Sequence, residues 1–228
     1  MPQIEFINVT KKYEGNFTAL DQISFSVEDG EFVFLVGPSG AGKSTVAKIL
    51  IREERCDSGQ VLLNGQDVME LSYEDIPKLR RKVGVVFQDF KLLDSKNVYE
   101  NVSVALEVVD SSDAEIRSIV PNILSMVGLS EKKLSYPKQL SGGEKQRLCI
   151  ARAMTHEPDV LIADEPTGNI DPDASLQVIE LLEKINSLGT TVIMASHDEK
   201  LVDRLKKRVI RMEKGVIVSD KKGGKYRG

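Results

Sequence analysis

The sequence predicts an α/β fold built on a mainly parallel sheet. Three observations carry this. Continuous apolar runs, FVFLVG at 32–37, VGVVF at 83–87, VLIAD at 160–164 and TTVIMAS at 190–196, read as strands buried on both faces. Segments with helical spacing separate those runs, and strands alternating with helices imply parallel pairing. A glycine-rich loop, GPSGAGKS at 37–44, joins the first run to a helical segment.

In chain order, QIEFINV at 3–9 alternates apolar and polar residues, as a half-buried strand does. FTALDQISFSV at 17–27 reads as a second strand, with EDG as the turn into the first buried run. TVAKILIRE at 45–53 is a short helix, and GQVLLNGQDV at 59–68 a strand, a turn and a strand edge. From about 97 to 155 the period is helical, through VYENVSVALEVV, DAEIRSIVPNILSMVGL and GGEKQRLCIARAM. ASLQVIELLEKINSLG is an amphipathic helix that ends at Gly189. EKLVDRLKK is a further helix, and RVIRME and GVIVS are a closing pair of strands. The N-terminal strands and the central helices look like attachments to the sheet. The expected organisation is one domain over 1–228, with a helical subdomain at about 97–155.

Composition narrows the function. A net charge of −4 argues against a surface that seeks nucleic acid, so no nucleic-acid partner is expected. Cys56 and Cys149 form neither a metal-type pair nor a disulfide framework, and two free thiols are expected. The N-terminal MPQIEFINVTKKY lacks a cationic start followed by an apolar core, so a signal peptide is not expected. No apolar run has the length that spans a bilayer. The basic runs KLRRK at 78–82 and RLKKR at 204–208 could face anionic lipid, but solvated faces are the preferred reading.

Gly37, Pro38, Ser39, Gly40, Ala41, Gly42, Lys43 and Ser44 fit the phosphate-loop pattern G-x-x-x-x-G-K-[ST] between a buried strand and a helix. Glycines let such a loop curl until its N–H groups face phosphate oxygens, and Thr45 continues it into the helix. Lys43 is placed to reach the β- and γ-phosphates of a nucleoside triphosphate, and the Ser44 hydroxyl to ligate Mg²⁺. Asp164 and Glu165 close a buried strand, where open α/β sheets bind ligands. Asp164 is expected to hold Mg²⁺, directly or through a water. Glu165 is expected to polarise a water aimed at the γ-phosphate. LSGGEKQR at 140–147 is a second anion grip: Ser141 caps a helix whose first N–H groups, at Gly142 and Gly143, point outward. Glu144 stands where a capping box needs it.

LSGGEKQR, lying between the phosphate loop and VLIADEP, resembles the signature motif of ABC ATPases, and the resemblance covers essentially the whole chain. It implies a P-loop NTPase (RecA-like) parallel core with an N-terminal antiparallel β subdomain and an inserted α-helical subdomain. It also implies roles for residues that spacing alone does not explain. Tyr13 matches the aromatic that stacks on adenine, and Gln88 the residue that senses Mg²⁺ and the γ-phosphate. Residues 168–171, GNID, match the family's D-loop, and His197 its switch histidine, which stabilises the γ-phosphate. Ile170 stands where the family usually has Leu, and Asp94 where it commonly has Pro. The family further implies that Ser141, Gly142 and Gly143 bind the γ-phosphate in trans, so that ATP joins two copies head to tail. His156 matches no motif and is expected at the surface.

VVFQDFKLL, NVYENVSVALEV, DEPTGNIDP and SDKKGGKY resemble the cell-division branch of the family, whose ATPases pair with the membrane protein FtsX. This implies a peripheral protein on the cytoplasmic face of the cell membrane, held by an FtsX-like permease and acting through it on cell-wall hydrolases. Lipoprotein-release and macrolide-export ATPases share much of the pattern and are the alternative. A soluble ABC protein of nucleic acid or the ribosome is disfavoured by the single cassette and the acidic charge, and a non-hydrolysing scaffold by Glu165 and His197. Phe90, Leu92 and Leu93 are candidates for an apolar groove that receives the permease, or else for packing of the helical subdomain.

Overall fold

A computed structural model describes residues 2–226. Its centre is a six-stranded sheet. In chain order the strands of the two sheets are β1 (Ile4–Tyr13), β2 (Phe17–Val27), β3 (Phe32–Val36), β4 (Ser58–Leu63), β5 (Gln66–Asp67), β6 (Val83–Val86), β7 (Val160–Asp164), β8 (Thr191–Ser196), β9 (Arg208–Glu213) and β10 (Val216–Lys221). The central sheet runs β10-β9-β3-β8-β7-β6, and β2-β1-β4-β5 form a separate four-stranded sheet. Every pair from β9 to β6 is parallel, and β10 closes the edge antiparallel to β9. The second sheet is antiparallel throughout.

The apolar runs are continuous because both faces of the central sheet are covered. Along β3 the side chains alternate: Phe32, Phe34 and Val36 enter one core, Val33 and Leu35 the other. The first core also takes the helices α3 (Val98–Glu107), α4 (Asp113–Met126), α5 (Gly142–Ala153), α6 (Pro172–Ser187) and α7 (Glu199–Leu205). The second takes the antiparallel sheet with α1 (Lys43–Leu50) and α2 (Ile76–Lys82).

The starts of α3 to α7 are set by side-chain caps. Asn97 with Glu100, Ser112 with Glu115 and Ser141 with Glu144 form reciprocal capping boxes at α3, α4 and α5. Asp171 and Asp198 cap α6 and α7 through the N–H groups of Ala174 and Leu201.

Three local features depart from the sequence reading. β1 runs on to Tyr13, through register shifts that a simple alternating pattern does not signal. α2 falls on the basic run that reads as a charged stretch, where Pro77 near the helix start is the available signal. His156 is half-buried rather than at the surface, and burial together with the nearby Arg81 charge lowers its pKa. The basic runs are engaged locally. The Arg80 guanidinium donates to the carbonyls of Ile51 and Arg52, Lys78 pairs with Asp75, and Arg208 with Glu31 and Asp220.

Candidate functional site

Four loops converge at the carboxyl edge of the parallel strands. The glycine loop follows β3, Gln88 lies two residues past β6, Glu165 follows β7, and His197 follows β8. β3, β8, β7 and β6 are neighbours in that order, so segments far apart in the chain meet at one rim.

In the glycine loop, Gly37, Gly40 and Gly42 have φ of +147°, +79° and +105°. A Cβ at Gly42 would stand 2.5 Å from the carbonyl oxygen of Ala19, so backbone and strand approach closely only because no side chain intervenes. At Gly40 the space a Cβ would enter is open, and the residue lines the cleft over the loop. α1 starts at Lys43, and the first N–H groups of a helix lack partners within it, which leaves donors for an anion.

Glu165 is the hub. It is a non-glycine residue with φ of +48°, pinned by its N–H to the Ala195 carbonyl (3.0 Å) and by its own carbonyl accepting from Gly168 N–H (3.1 Å). A left-handed backbone at a carboxylate at a strand end is the kind of strain that accompanies function. One oxygen, Oε1, lies 3.8 Å from Lys43 Nζ; the other, Oε2, lies 3.0 Å from His197 Nδ1 and 3.5 Å from Gln88 Nε2. The Lys43 and Glu165 side chains are 6% and 14% exposed, whereas His197 is 61% exposed. Lys43 Nζ also donates to the carbonyls of Gly37 (2.9 Å) and Pro38 (3.2 Å). The cation is therefore held over its own loop, within one side-chain swing of the cradle.

Asp164 is next to this hub and half-buried. Burial, and secondarily the Glu165 charge, raises its pKa, against a hydrogen bond to Ser44 and the charge of Lys43. A carboxyl bonded to a hydroxyl across a phosphate loop is a two-point oxygen site for a hard cation. No cluster of three or more His, Cys, Asp or Glu able to hold a metal exists among the described residues. Mg²⁺ takes one or two protein oxygens and completes its shell with waters and phosphate, a demand that one carboxyl and one hydroxyl fit.

A cleft of about 250 Å³ lies over the loop, with Ser39, Ser44, Gln88 and Glu165 on its wall. Phe17, 54% exposed, and Ala19 also line it, whereas Tyr13 does not. Tyr13 is half-buried across the strand pair from Phe17, with Lys11 Nζ 4.9 Å from its ring centroid. Phe17 is therefore an apolar wall residue that the sequence reading missed. The available signal is an aromatic opening β2, where alternation alone does not say which face is the cleft.

Ser141, Gly142 and Gly143 are not on the wall of this cleft. The Ser141 hydroxyl accepts from Glu144 N–H (3.2 Å), and Glu144 Oε2 accepts from Ser141 N–H (2.8 Å), so the exposed serine is held at the helix start. The glycines also permit packing. A Cβ at Gly143 would lie 2.5 Å from Ala174 Cβ, and one at Gly142 3.0 Å from Ile170 Cγ2. The start of α5 thus rests on residues 169–174, just downstream of Glu165, a contact that no sequence motif announces.

Phe90 and Leu92 pack against the helical core, while Leu93 stays 39% exposed. Of the apolar trio near Gln88, two serve packing and one faces outward.

The chain is similar to known proteins along most of its length. The family model described as "ABC transporter" matches residues 20–168. The "Cell division ATP-binding protein FtsE" of Bacillus subtilis (strain 168) is 51% identical over 223 residues, spanning 98% of this chain and 98% of that protein. The protein of the same name from Escherichia coli (strain K12) is 43% identical over 212 residues, spanning 93% and 96%. Among solved structures, the dimeric post-hydrolysis state of the ATP-binding cassette MJ0796 bound to ADP and Pi superposes with a TM-score of 0.86 at 33% identity, covering 99% of each chain. The structure of cbiO1 from Clostridium perfringens, part of the ABC transporter complex cbiONQ, gives a TM-score of 0.89 at 31% identity, covering 97% of this chain and 89% of that one.

Proposed function

This chain belongs to the ABC transporter family and is an ATPase of that family; on this premise we propose that it is the FtsE-like subunit of a membrane complex of cell division. Two copies close head to tail on ATP. The closure is passed through an FtsX-like permease, on the cytoplasmic face of the membrane, to cell-wall hydrolases. No helix among the described residues is long and apolar enough to cross a membrane, so in this reading a partner supplies the membrane attachment.

The observation that carries the catalytic part is the meeting of Lys43, Gln88 and His197 on the Glu165 carboxylate. With ATP in the cradle, the backbone N–H groups of residues 39–45 and Lys43 bind the phosphates, and Lys43 exchanges its loop carbonyls for phosphate oxygens. Ser44, Asp164 and Gln88 would hold Mg²⁺, which offsets phosphate charge when bound. Glu165 orients and polarises the attacking water, and His197 positions Glu165 before turning to the γ-phosphate. Phe17 and Tyr13 are the aromatics available to the base. Ser141, Gly142 and Gly143 do not line their own cleft, which supports a role in trans on the partner's nucleotide. The system is a switch biased by the γ-phosphate that bridges two copies.

Glu165→Gln tests this reading. The variant is expected to bind ATP and to run as a dimer in size-exclusion chromatography with light scattering, dissociating when ATP is removed. Hydrolysis at the parental rate, or a monomer at saturating ATP, overturns it.

A further inference from the structure

The last turns of α5 hold the loop that carries Gln88. The Arg152 guanidinium donates from Nη1 to the Lys91 carbonyl (2.7 Å) and from Nη2 to the Phe90 carbonyl (3.1 Å). One turn earlier, Cys149 Sγ donates to the same Phe90 carbonyl (3.0 Å). Phe90 and Lys91 are consecutive non-glycine residues with φ of +56° and +48°, a conformation that side-chain residues adopt only when the surroundings enforce it. The loop is held again further on: Asn101 of α3, fully buried, donates Nδ2 to the carbonyls of Leu93, Lys96 and Asn97 and accepts from Leu93 N–H. Upstream the chain belongs to β6 of the central sheet. Gln88 thus sits between an end fixed to the sheet and an end fixed to the helices, two residues before the first anchored carbonyl.

We propose that Arg152 is a positioning residue that ties the signature helix to Gln88. α5 is a single helix of 12 residues, with Ser141 capping one end and Arg152 near the other. A displacement of its capped end by a bound phosphate is carried along a rigid rod to the carbonyls of Phe90 and Lys91, and through them to Gln88 beside Glu165. Each copy then reports closure at its signature motif to its own hydrolytic centre. A planar guanidinium fork suits this task because its Nη donors are fixed relative to one another, so gripping two successive carbonyls sets their orientation as well as their distance. The inference rests on the role given to Gln88 under the proposed function.

The test is a double-mutant cycle on the full chain. Steady-state ATP hydrolysis with Mg²⁺ is measured for the parent, Arg152→Ala, Gln88→Ala and the double variant, with nucleotide affinity from a fluorescent ATP analogue. Arg152→Ala is expected to lower kcat about tenfold to a hundredfold, the scale of a misplaced catalytic group, with affinity little changed. The double variant is expected to be no slower than Gln88→Ala, because Arg152 acts through Gln88. Arg152→Lys, which keeps one donor group, is expected to recover part of the loss, and it replaces the alanine variant in the cycle if that variant does not fold. Independent, multiplying losses overturn the proposal, as does a parental kcat in both Arg152 variants. A crippled Gln88→Ala beside parental Arg152 variants refutes the tie alone; a parental kcat in Gln88→Ala refutes the role of Gln88 and the tie with it.

Discussion

His197 Nδ1 stands 3.0 Å from Glu165 Oε2, on the carboxylate oxygen that also faces Gln88 Nε2. The histidine is the residue before Asp198, whose carboxylate caps α7 at Leu201, so its backbone is set by a strand end and a helix start together. His197→Ala is therefore expected to lower kcat by about two orders of magnitude, within the range for a lost acid–base partner, and to change nucleotide affinity little. Steady-state kinetics beside an equilibrium binding titration check the split.

Lys43→Ala removes the buried cation that lies between the loop carbonyls and Glu165. Charge-assisted bonds to phosphate are lost, and ATP affinity is expected to fall by about 3 kcal/mol, roughly a hundredfold. Isothermal titration with ATP measures it; an unchanged affinity refutes the cradle assignment.

Ser141→Arg places a long cation at the exposed start of α5, away from the chain's own cleft. Binding of ATP to one copy is expected to persist while ATP-dependent dimerisation is lost. Light scattering and a nucleotide titration on the same sample separate the two, and weakened binding by the monomer contradicts a role in trans.

Asp164→Asn is expected to stabilise the nucleotide-free protein at neutral pH while impairing Mg²⁺-dependent hydrolysis. Burial raises the Asp164 pKa above its unfolded value, so in the window between the two the folded state holds the extra proton. Stability from this group is then lost as pH rises through the raised pKa and regained as pH falls. The melting temperature of the variant should exceed the parent's at pH 7, and the difference should shrink toward acid pH.

Gly143→Ala adds a Cβ where Ala174 Cβ already lies 2.5 Å away. The start of α5 must move off α6, and a loss of about 1–3 kcal/mol is expected in denaturant unfolding. Because the same helix end serves the trans contact, ATP-dependent dimerisation should weaken as well.

Much of the fold is readable along the chain because its signals are local. FVFLVG and VLIAD declare strands covered on both faces, Ser141 and Glu144 declare a capped helix, and the spacing of Gly37, Gly42, Lys43 and Ser44 declares a phosphate loop. Each is a pattern within a few residues, governed by backbone geometry and side-chain period. What the tertiary structure alone decides is which loops meet. The order β3-β8-β7-β6 differs from chain order, and it brings Lys43, Gln88 and His197 onto Glu165. It also puts Phe17 rather than Tyr13 on the wall of the cleft, seats Gly143 against Ala174, and closes Arg152 on the loop after Gln88. Those contacts depend on how strands are ordered and layers stacked, and no short window of sequence encodes either.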